Sequence, residues 1–114
     1  MPSIKTTVNK EISEAARNNL IKKFGEAIAL FPGKTEDWLM LTFNDKTPMR
    51  FAGKTHEDYA LLEVSLFGSA QAAAYDRMTD ALTSIINEEL GIAPDKTYIK
   101  YDEIGHWGWN GRNF

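Results

Sequence analysis

Two kinds of hydrophobic spacing alternate along the chain, and together they predict strands and helices in turn. Residues 2–8 are rich in β-branched side chains and predict a strand at the N-terminus. Apolar residues then recur at helical spacing, which predicts an amphipathic helix over residues 14–31 with Ser13 as its N-cap and Pro32-Gly33 as its end. The nearly continuous apolar run at 38–43 is too short for a half-exposed helix and predicts a second, largely covered strand.

The second half of the sequence repeats this order. The further predicted elements are a strand at 59–67, a helix at 70–90 and a strand at 96–101, with a short extended piece at 49–51 and an aromatic, glycine-rich tail at 104–114. Gly68 ends the third strand and Gly91 is expected to end the second helix. Strand, helix and strand begin near residues 2, 13 and 38, and again near residues 59, 70 and 97, which predicts two βαβ units.

Two βαβ units in 114 residues predict one domain, spanning residues 1–114, of the α+β two-layer class. We expect a four-stranded mixed sheet with both helices on one face. The last three strands look apolar on both faces, which would leave a hydrophobic sheet face without a cover. The cover that we expect is another copy of the chain.

Composition and charge remove several classes of function. The 13 Lys and Arg against 16 Asp and Glu give a net charge of −3 without a basic block, which disfavours nucleic acid and anionic lipid as partners. Glu88 and Glu89 are predicted to be solvated charges on the second helix. The absence of cysteine excludes disulfides and cysteine nucleophiles. Charges throughout the first 30 residues and the lack of a long apolar run predict a cytoplasmic protein, or one exported without a signal peptide.

Familiar catalytic and binding motifs are missing from the sequence. Gly-Lys-Thr occurs at 33–35 and 53–55, but a phosphate-binding loop needs a glycine five residues earlier, where Ile28 and Pro48 stand. His56 and His106 lie in no spacing typical of metal sites. We therefore predict no metal and no cofactor.

Pro2 offers a different kind of catalytic group. When the initiator Met is removed, Pro2 carries a free secondary amine. Burial or a nearby cation lowers the pKa of such an amine toward neutrality, where it acts as a general base without histidine. The alternative is that Pro2 merely begins an edge strand, where its missing N–H costs nothing.

An ordered set of short motifs resembles a known family. The motifs are Pro2 at the start of a strand, Pro32-Gly33-Lys34, Leu66-Phe67-Gly68, the run from Ala93 to Tyr101, and Gly108-Trp109-Asn110. Together they resemble the macrophage migration inhibitory factor family of the tautomerase superfamily, over the whole length from Pro2 to Phe114. The resemblance implies two βαβ units per chain, a homotrimer around a central channel, and active sites between neighbouring subunits.

The resemblance also implies an activity and the residues that carry it. The expected reaction is keto–enol tautomerisation of aryl α-keto acids such as phenylpyruvate or hydroxyphenylpyruvate, with Pro2 as the base. Lys34 matches the lysine that holds the substrate carboxylate, and Phe67 matches the position whose backbone N–H binds the same group. Tyr98 matches a pocket tyrosine from the adjacent subunit. The alternatives are a solvated loop lysine for Lys34 and core packing for Phe67 and Tyr98.

Four aromatic residues fall where the family places the apolar end of the pocket. They are Trp38, Trp107, Trp109 and Phe114. Aromatic walls suit an aryl ring in offset or edge geometry. Packing between subunits is the alternative for two tryptophans in a glycine-rich tail.

This sequence departs from the family's animal cytokine at three places. Residues 59–62 replace a Cys-x-x-Cys pair, so a thiol oxidoreductase activity is excluded. Lys100 replaces a pocket asparagine; it would bind the substrate carboxylate with Lys34 or lower the pKa of the Pro2 amine, and an exposed lysine is the alternative. Ser3 replaces a bulkier residue beside Pro2 and should widen the mouth of the site.

Two other functions stay open at this stage. The first is a cytokine-like protein that binds a host or cell-surface protein and uses the proline pocket as a scaffold. The second is dehalogenase or decarboxylase chemistry, which also uses an N-terminal proline but adds arginines, and no arginine lies in the segments assigned to the pocket. We rank the second last.

Overall fold

A computed structural model describes residues 1–114, in which two helices pack on one four-stranded sheet. The regular elements are β1 Pro2–Val8, α1 Glu14–Ala27, β2 Met40–Asn44, β3 Ala60–Phe67, α2 Ala72–Leu90, β4 Thr97–Ile104, β5 Gly108–Trp109 and β6 Arg112–Asn113. Short 3-10 turns cover 28–30, 36–38 and 94–96. Neither helix is long and apolar enough to cross a membrane.

The sheet has the mixed topology predicted from the repeated units. Its strand order is β2-β1-β3-β4, with β1 parallel to β2, β1 antiparallel to β3, and β3 parallel to β4. The predicted fold class is therefore confirmed. β1 lies between two strands, so the edge position considered for Pro2 is wrong; Pro2 is the first residue of an inner strand, where a missing N–H is also tolerated.

One face of the sheet and the inner sides of both helices form the core. Its largest fully buried members include Ile4, Leu62 and Leu66 from the sheet, Leu20 and Phe24 from α1, and Met78, Leu82 and Ile86 from α2. The burial of alternate residues in β3 shows why: side chains of a strand point to opposite faces, and only one face meets the helices.

The other face of the sheet is more polar than the sequence suggested. Glu63 on this face forms ion pairs with Lys5 at 3.9 Å and with Lys100 at 3.5 Å, across three neighbouring strands. The expectation of strands apolar on both faces is wrong because polar residues hold the alternate positions of β3 and β4. Leu61 and Tyr98 still add apolar area at one end of this face.

Residues at the ends of the helices act largely as predicted. Ser13 caps α1, since its hydroxyl accepts a hydrogen bond from the Ala16 N–H at 3.1 Å. The α1 helix ends at Ala27 rather than at residue 31, and a 3-10 turn follows. The last turn tightens because a residue before proline, here Phe31, is disfavoured in the helical conformation.

The α2 helix begins at Ala72, two residues later than predicted, and ends before Gly91 as predicted. Gly91 adopts the left-handed conformation with φ +67°. The predicted solvation of Glu88 and Glu89 is wrong for Glu89, whose side chain is only 14% exposed. Lys23 of α1 contacts both carboxylates, at 3.0 and 2.6 Å, and lowers the pKa of Glu89 by hydrogen bonding. The two helices are thus joined at their outer side.

The boundaries of the later strands also differ from the predicted ones. β2 begins at Met40, because residues 36–38 form a 3-10 turn instead of extended backbone. β4 continues to Ile104, since its pairing with β3 extends to Phe67 opposite Ile104. Of the extended piece predicted at 49–51, only Phe51 pairs, in one bridge with Lys54.

The C-terminal tail is a small hairpin rather than an irregular segment. β5 and β6 pair around Asn110 and Gly111, whose φ angles are +54° and +84°. Positive φ at both central residues is the signature of a type I′ turn, and Asn-Gly is the dipeptide that favours it. The hairpin gives Trp109 a fixed backbone position.

Candidate active site

A tight turn positions Lys34 at the end of β3. The Lys34 N–H donates to the Phe31 carbonyl at 3.0 Å, and Gly33 between them has φ +78°. Proline followed by a left-handed glycine is the sequence that a type II turn requires. The turn brings the Lys34 ammonium to the carbonyl of Phe67, to which it donates at 3.1 Å.

Met1 lies against the same two residues. The Phe67 N–H donates to the Met1 carbonyl at 2.9 Å, which extends the antiparallel pairing of β1 and β3 by one residue beyond Pro2 and Leu66. Burial lowers the pKa of the Met1 amine, and the Lys34 ammonium beside it lowers that pKa further by charge repulsion and hydrogen bonding. The N-terminus therefore occupies a place where one backbone N–H and one lysine converge.

Pro2 is buried at the start of β1, opposite Leu66 of β3. Peptide-bonded to Met1, its nitrogen is neither a base nor a donor. The chain positions this nitrogen one residue from the contacts that Met1 makes with Lys34 and Phe67.

Aromatic side chains surround the open side of the site. Trp38 and Trp109 meet edge to face with ring centres 5.0 Å apart, and Phe114 stacks on Trp109 at 6.3 Å. Phe67 contacts Phe114 at 5.6 Å. A cavity of about 790 Å³ runs along Trp38 and Trp109. Its lining comprises Met1, Pro2, Ser3, Asp37, Trp38, Leu39, Met40, Trp107, Gly108 and Trp109.

The structure thus brings most of the predicted site residues together. Pro2, Trp38, Trp107 and Trp109 line one cavity. Lys34 and Phe67 join them through Met1, and Phe114 joins them through Phe67 and Trp109.

Tyr98 and Lys100 lie elsewhere in the chain. Tyr98 pairs with Leu61, whereas Pro2 pairs with Leu66 of the same strand. Five strand residues separate those positions by about 17 Å. Lys100 is paired with Glu63 at 3.5 Å and Asp102 at 4.0 Å. Within one chain, neither side chain contributes to the Pro2 site.

Sequence reasoning missed three residues of the cavity wall. They are Asp37, Leu39 and Met40, the last of which is 70% exposed. The signal was their position beside Trp38, which the family resemblance assigns to the pocket. The strand predicted at 38–43 separated Trp38 from Asp37. In the structure both residues belong to one 3-10 turn at 36–38, and both line the cavity.

Comparison with known proteins identifies the family. A family model described as "Macrophage migration inhibitory factor (MIF)" matches residues 1–114. The chain belongs to this family. Mouse macrophage migration inhibitory factor is 24% identical over 110 residues, which cover 94% of this chain and 95% of the mouse protein.

Solved structures of MIF-family proteins superpose on the whole chain. The crystal structure of Leishmania major MIF2 has 34% identity and a TM-score of 0.92, with 100% of this chain and 97% of that chain covered. A MIF homologue from Prochlorococcus marinus has 26% identity and a TM-score of 0.83, with 98% of both chains covered. Membership of the family supports a tautomerase or MIF-like role, and homotrimers are typical of the fold.

Proposed function

We propose that this protein is a keto–enol tautomerase of aryl α-keto acids that uses the Pro2 amine, freed by removal of Met1, as its general base. The observation that carries the proposal is the way Met1 is held. The Phe67 N–H binds the Met1 carbonyl oxygen and Lys34 lies at the Met1 amine. Once Met1 is gone, this N–H and this ammonium are available to a carboxylate.

The surroundings of the N-terminus favour a neutral amine. Burial and the Lys34 charge lower the pKa of the Met1 amine. We expect the same two influences on a Pro2 amine, which begins one residue further along the chain. An amine that is unprotonated near neutral pH accepts a proton efficiently.

The reaction follows from these positions. The neutral Pro2 nitrogen takes a proton from the β-carbon of the keto acid, and the electron pair of that C–H bond moves into the α-carbonyl. The protonated Pro2 nitrogen then gives this proton to the enolate oxygen, which yields the enol and returns the amine to its neutral form. Lys34 and the Phe67 N–H hold the carboxylate and stabilise the developing negative charge. The aryl ring lies against Trp38 and Trp109.

Replacement of Pro2 by Gly tests the proposal. The shorter residue keeps a terminal amine but loses the secondary amine and its fixed ring, and we expect phenylpyruvate tautomerisation to fall by about a hundredfold or more. Intact mass must first show that Met1 is absent from both proteins. Unchanged activity in the Met1-free Pro2→Gly variant would refute the assigned role of Pro2.

A MIF-like binding role is the second candidate, and the likeness to the mouse protein over 94% of this chain favours it. In that case the pocket is a scaffold and binding to a host or cell-surface protein survives the Pro2→Gly change. A binding assay with the same variant therefore separates the two functions.

A further inference from the structure

A second cavity, of about 300 Å³, shares no lining residue with the aromatic cavity. Part of its wall is apolar and includes three buried side chains, those of Phe31, Leu66 and Ala74. The polar side chains of its wall are those of Lys34, Ser69, Gln71 and Arg77. The cavity is therefore a separate place where a ligand with both a polar and an apolar part would fit.

The two charged side chains that line this cavity are both cations. No carboxylate lines it, and neither Lys34 nor Arg77 belongs to an ion pair of the chain. Cations that line the same cavity repel each other, and an anion between them replaces this repulsion by two attractions. The charge of the cavity thus favours an anionic ligand.

The remaining polar groups of the wall add hydrogen-bond donors. Gln71 directly precedes α2, but its side chain makes no capping bond to that helix, so the amide is available to a ligand. The Ala70 N–H donates to the Tyr75 hydroxyl at 3.3 Å, which ties the segment 69–71 to α2. An arginine guanidinium binds two oxygens of a phosphate group at once. A phosphate group, with a charge near −2, matches two cations better than a carboxylate does.

We infer that this cavity binds a phosphate group, either as free phosphate or as a small phosphate monoester whose organic part packs on Phe31 and Leu66. Lys34 connects the cavity to the candidate active site, because its ammonium donates to the Phe67 carbonyl and lies beside the N-terminal amine. A bound phosphate would compete for this ammonium and repel the carboxylate of a keto acid. This effect on turnover rests on the proposed tautomerase function, whereas binding of phosphate does not.

Phosphorus NMR of inorganic phosphate and of propyl phosphate, titrated with the Met1-free protein at constant ionic strength, measures the binding. Arg77→Met should weaken it about tenfold or more, because a charged hydrogen bond is lost. Arg17→Met is the matched control, since Arg17 is an exposed arginine of α1 that does not line the cavity. Tighter binding of propyl phosphate would identify a monoester as the ligand, and equal or weaker binding would identify free phosphate.

Tautomerisation of phenylpyruvate measures the effect on the active site. Inorganic phosphate should raise KM, and Arg77→Met should relieve this inhibition and leave the activity without phosphate unchanged. Absence of phosphate binding, or equal weakening by Arg17→Met, would overturn the inference. Inhibition that persists in full in Arg77→Met would also overturn it, because phosphate would then occupy the substrate carboxylate site. Absence of turnover would contradict only the tautomerase function, since the NMR titration needs no catalysis.

Discussion

Lys34 is one cation with two effects on the site. Its ammonium donates to the Phe67 carbonyl and lies beside the N-terminal amine, whose pKa it lowers. In the proposed mechanism the same charge attracts the anionic substrate. The proposal thus couples substrate binding and the basicity of the amine through one side chain, so that a single substitution should change both.

Replacement of Lys34 by Met separates these effects by pH. In the proposed mechanism the Pro2 amine acts in its neutral form, so activity should rise with pH through the pKa of that amine. Lys34 lowers the pKa of the Met1 amine; without this positive charge we expect the pKa of the Pro2 amine to be higher and the rise in activity to move to higher pH. KM should also increase, by about tenfold or more, because a charged hydrogen bond to the carboxylate is lost.

The measurement is kcat/KM for phenylpyruvate against pH, with Lys22→Met as the control, since Lys22 is an exposed lysine of α1. A pH profile identical to that of the original protein would show that Lys34 has no contact with the amine. An unchanged KM would make Lys34 a loop residue only.

At the scale of elements, the hairpin of β5 and β6 determines the shape of the aromatic wall. Gly111 has φ +84°, and Trp109 in β5 contacts both Trp38 and Phe114. The wall therefore depends on a turn that only a few residue types can adopt.

Gly111→Ala tests this dependence. A side chain in the left-handed region costs about 1–2 kcal/mol, which loosens the hairpin and moves Trp109 away from Trp38. We expect a higher KM for aryl substrates, a red-shifted tryptophan emission and a urea midpoint of unfolding lowered in proportion to this cost. Gly105→Ala is the control, because Gly105 has open space around it and no left-handed φ. Equal effects of the two substitutions would contradict a role for the turn.

Local sequence signals predicted the ends of an element correctly where a residue type favours one specific backbone role, such as a helix cap. Ser13 and Gly91 are of this kind, and each acts in the structure as the sequence indicated. The end of α1 and the start of β2 were misplaced because 3-10 turns keep the hydrophobic spacing of their neighbours. The hairpin was missed although Asn110-Gly111 is a strong signal for it.

At the scale of the whole molecule, the site could be predicted only in part because some of its expected contacts lie between copies of the chain. The family resemblance assigned Tyr98 to the pocket of an adjacent subunit, and the register puts it far from Pro2 of the same chain, so this prediction concerns a contact between copies. A sequence specifies contacts within one chain through its periodicity, but contacts between copies depend on surface shape. The ion pairs of Glu63 with Lys5 and Lys100 could not be predicted either. They depend on the register between strands, which periodicity along one strand does not give.

Mixed oligomers test whether two chains share each site. Co-production of a Pro2→Gly chain with a Tyr98→Ala chain should restore activity that neither has alone, because about one quarter of randomly assembled sites then contain both native residues. The two variants mixed only after separate assembly are the control. No recovery after co-assembly would contradict a site built from Pro2 and Tyr98 of neighbouring copies.

In an untrimmed chain, Met1 occupies the two groups that we expect to bind the substrate carboxylate. It therefore acts as a covalently attached competitor of the substrate. Its carbonyl and amine already engage the Phe67 N–H and Lys34, and a covalently attached group acts at an effective concentration on the order of millimolar. Incomplete trimming should therefore lower the fraction of working sites and leave KM unchanged. In a preparation with a known Met1 content by intact mass, kcat per chain should be proportional to the trimmed fraction, and a tag fused before Pro2 should abolish turnover until it is removed.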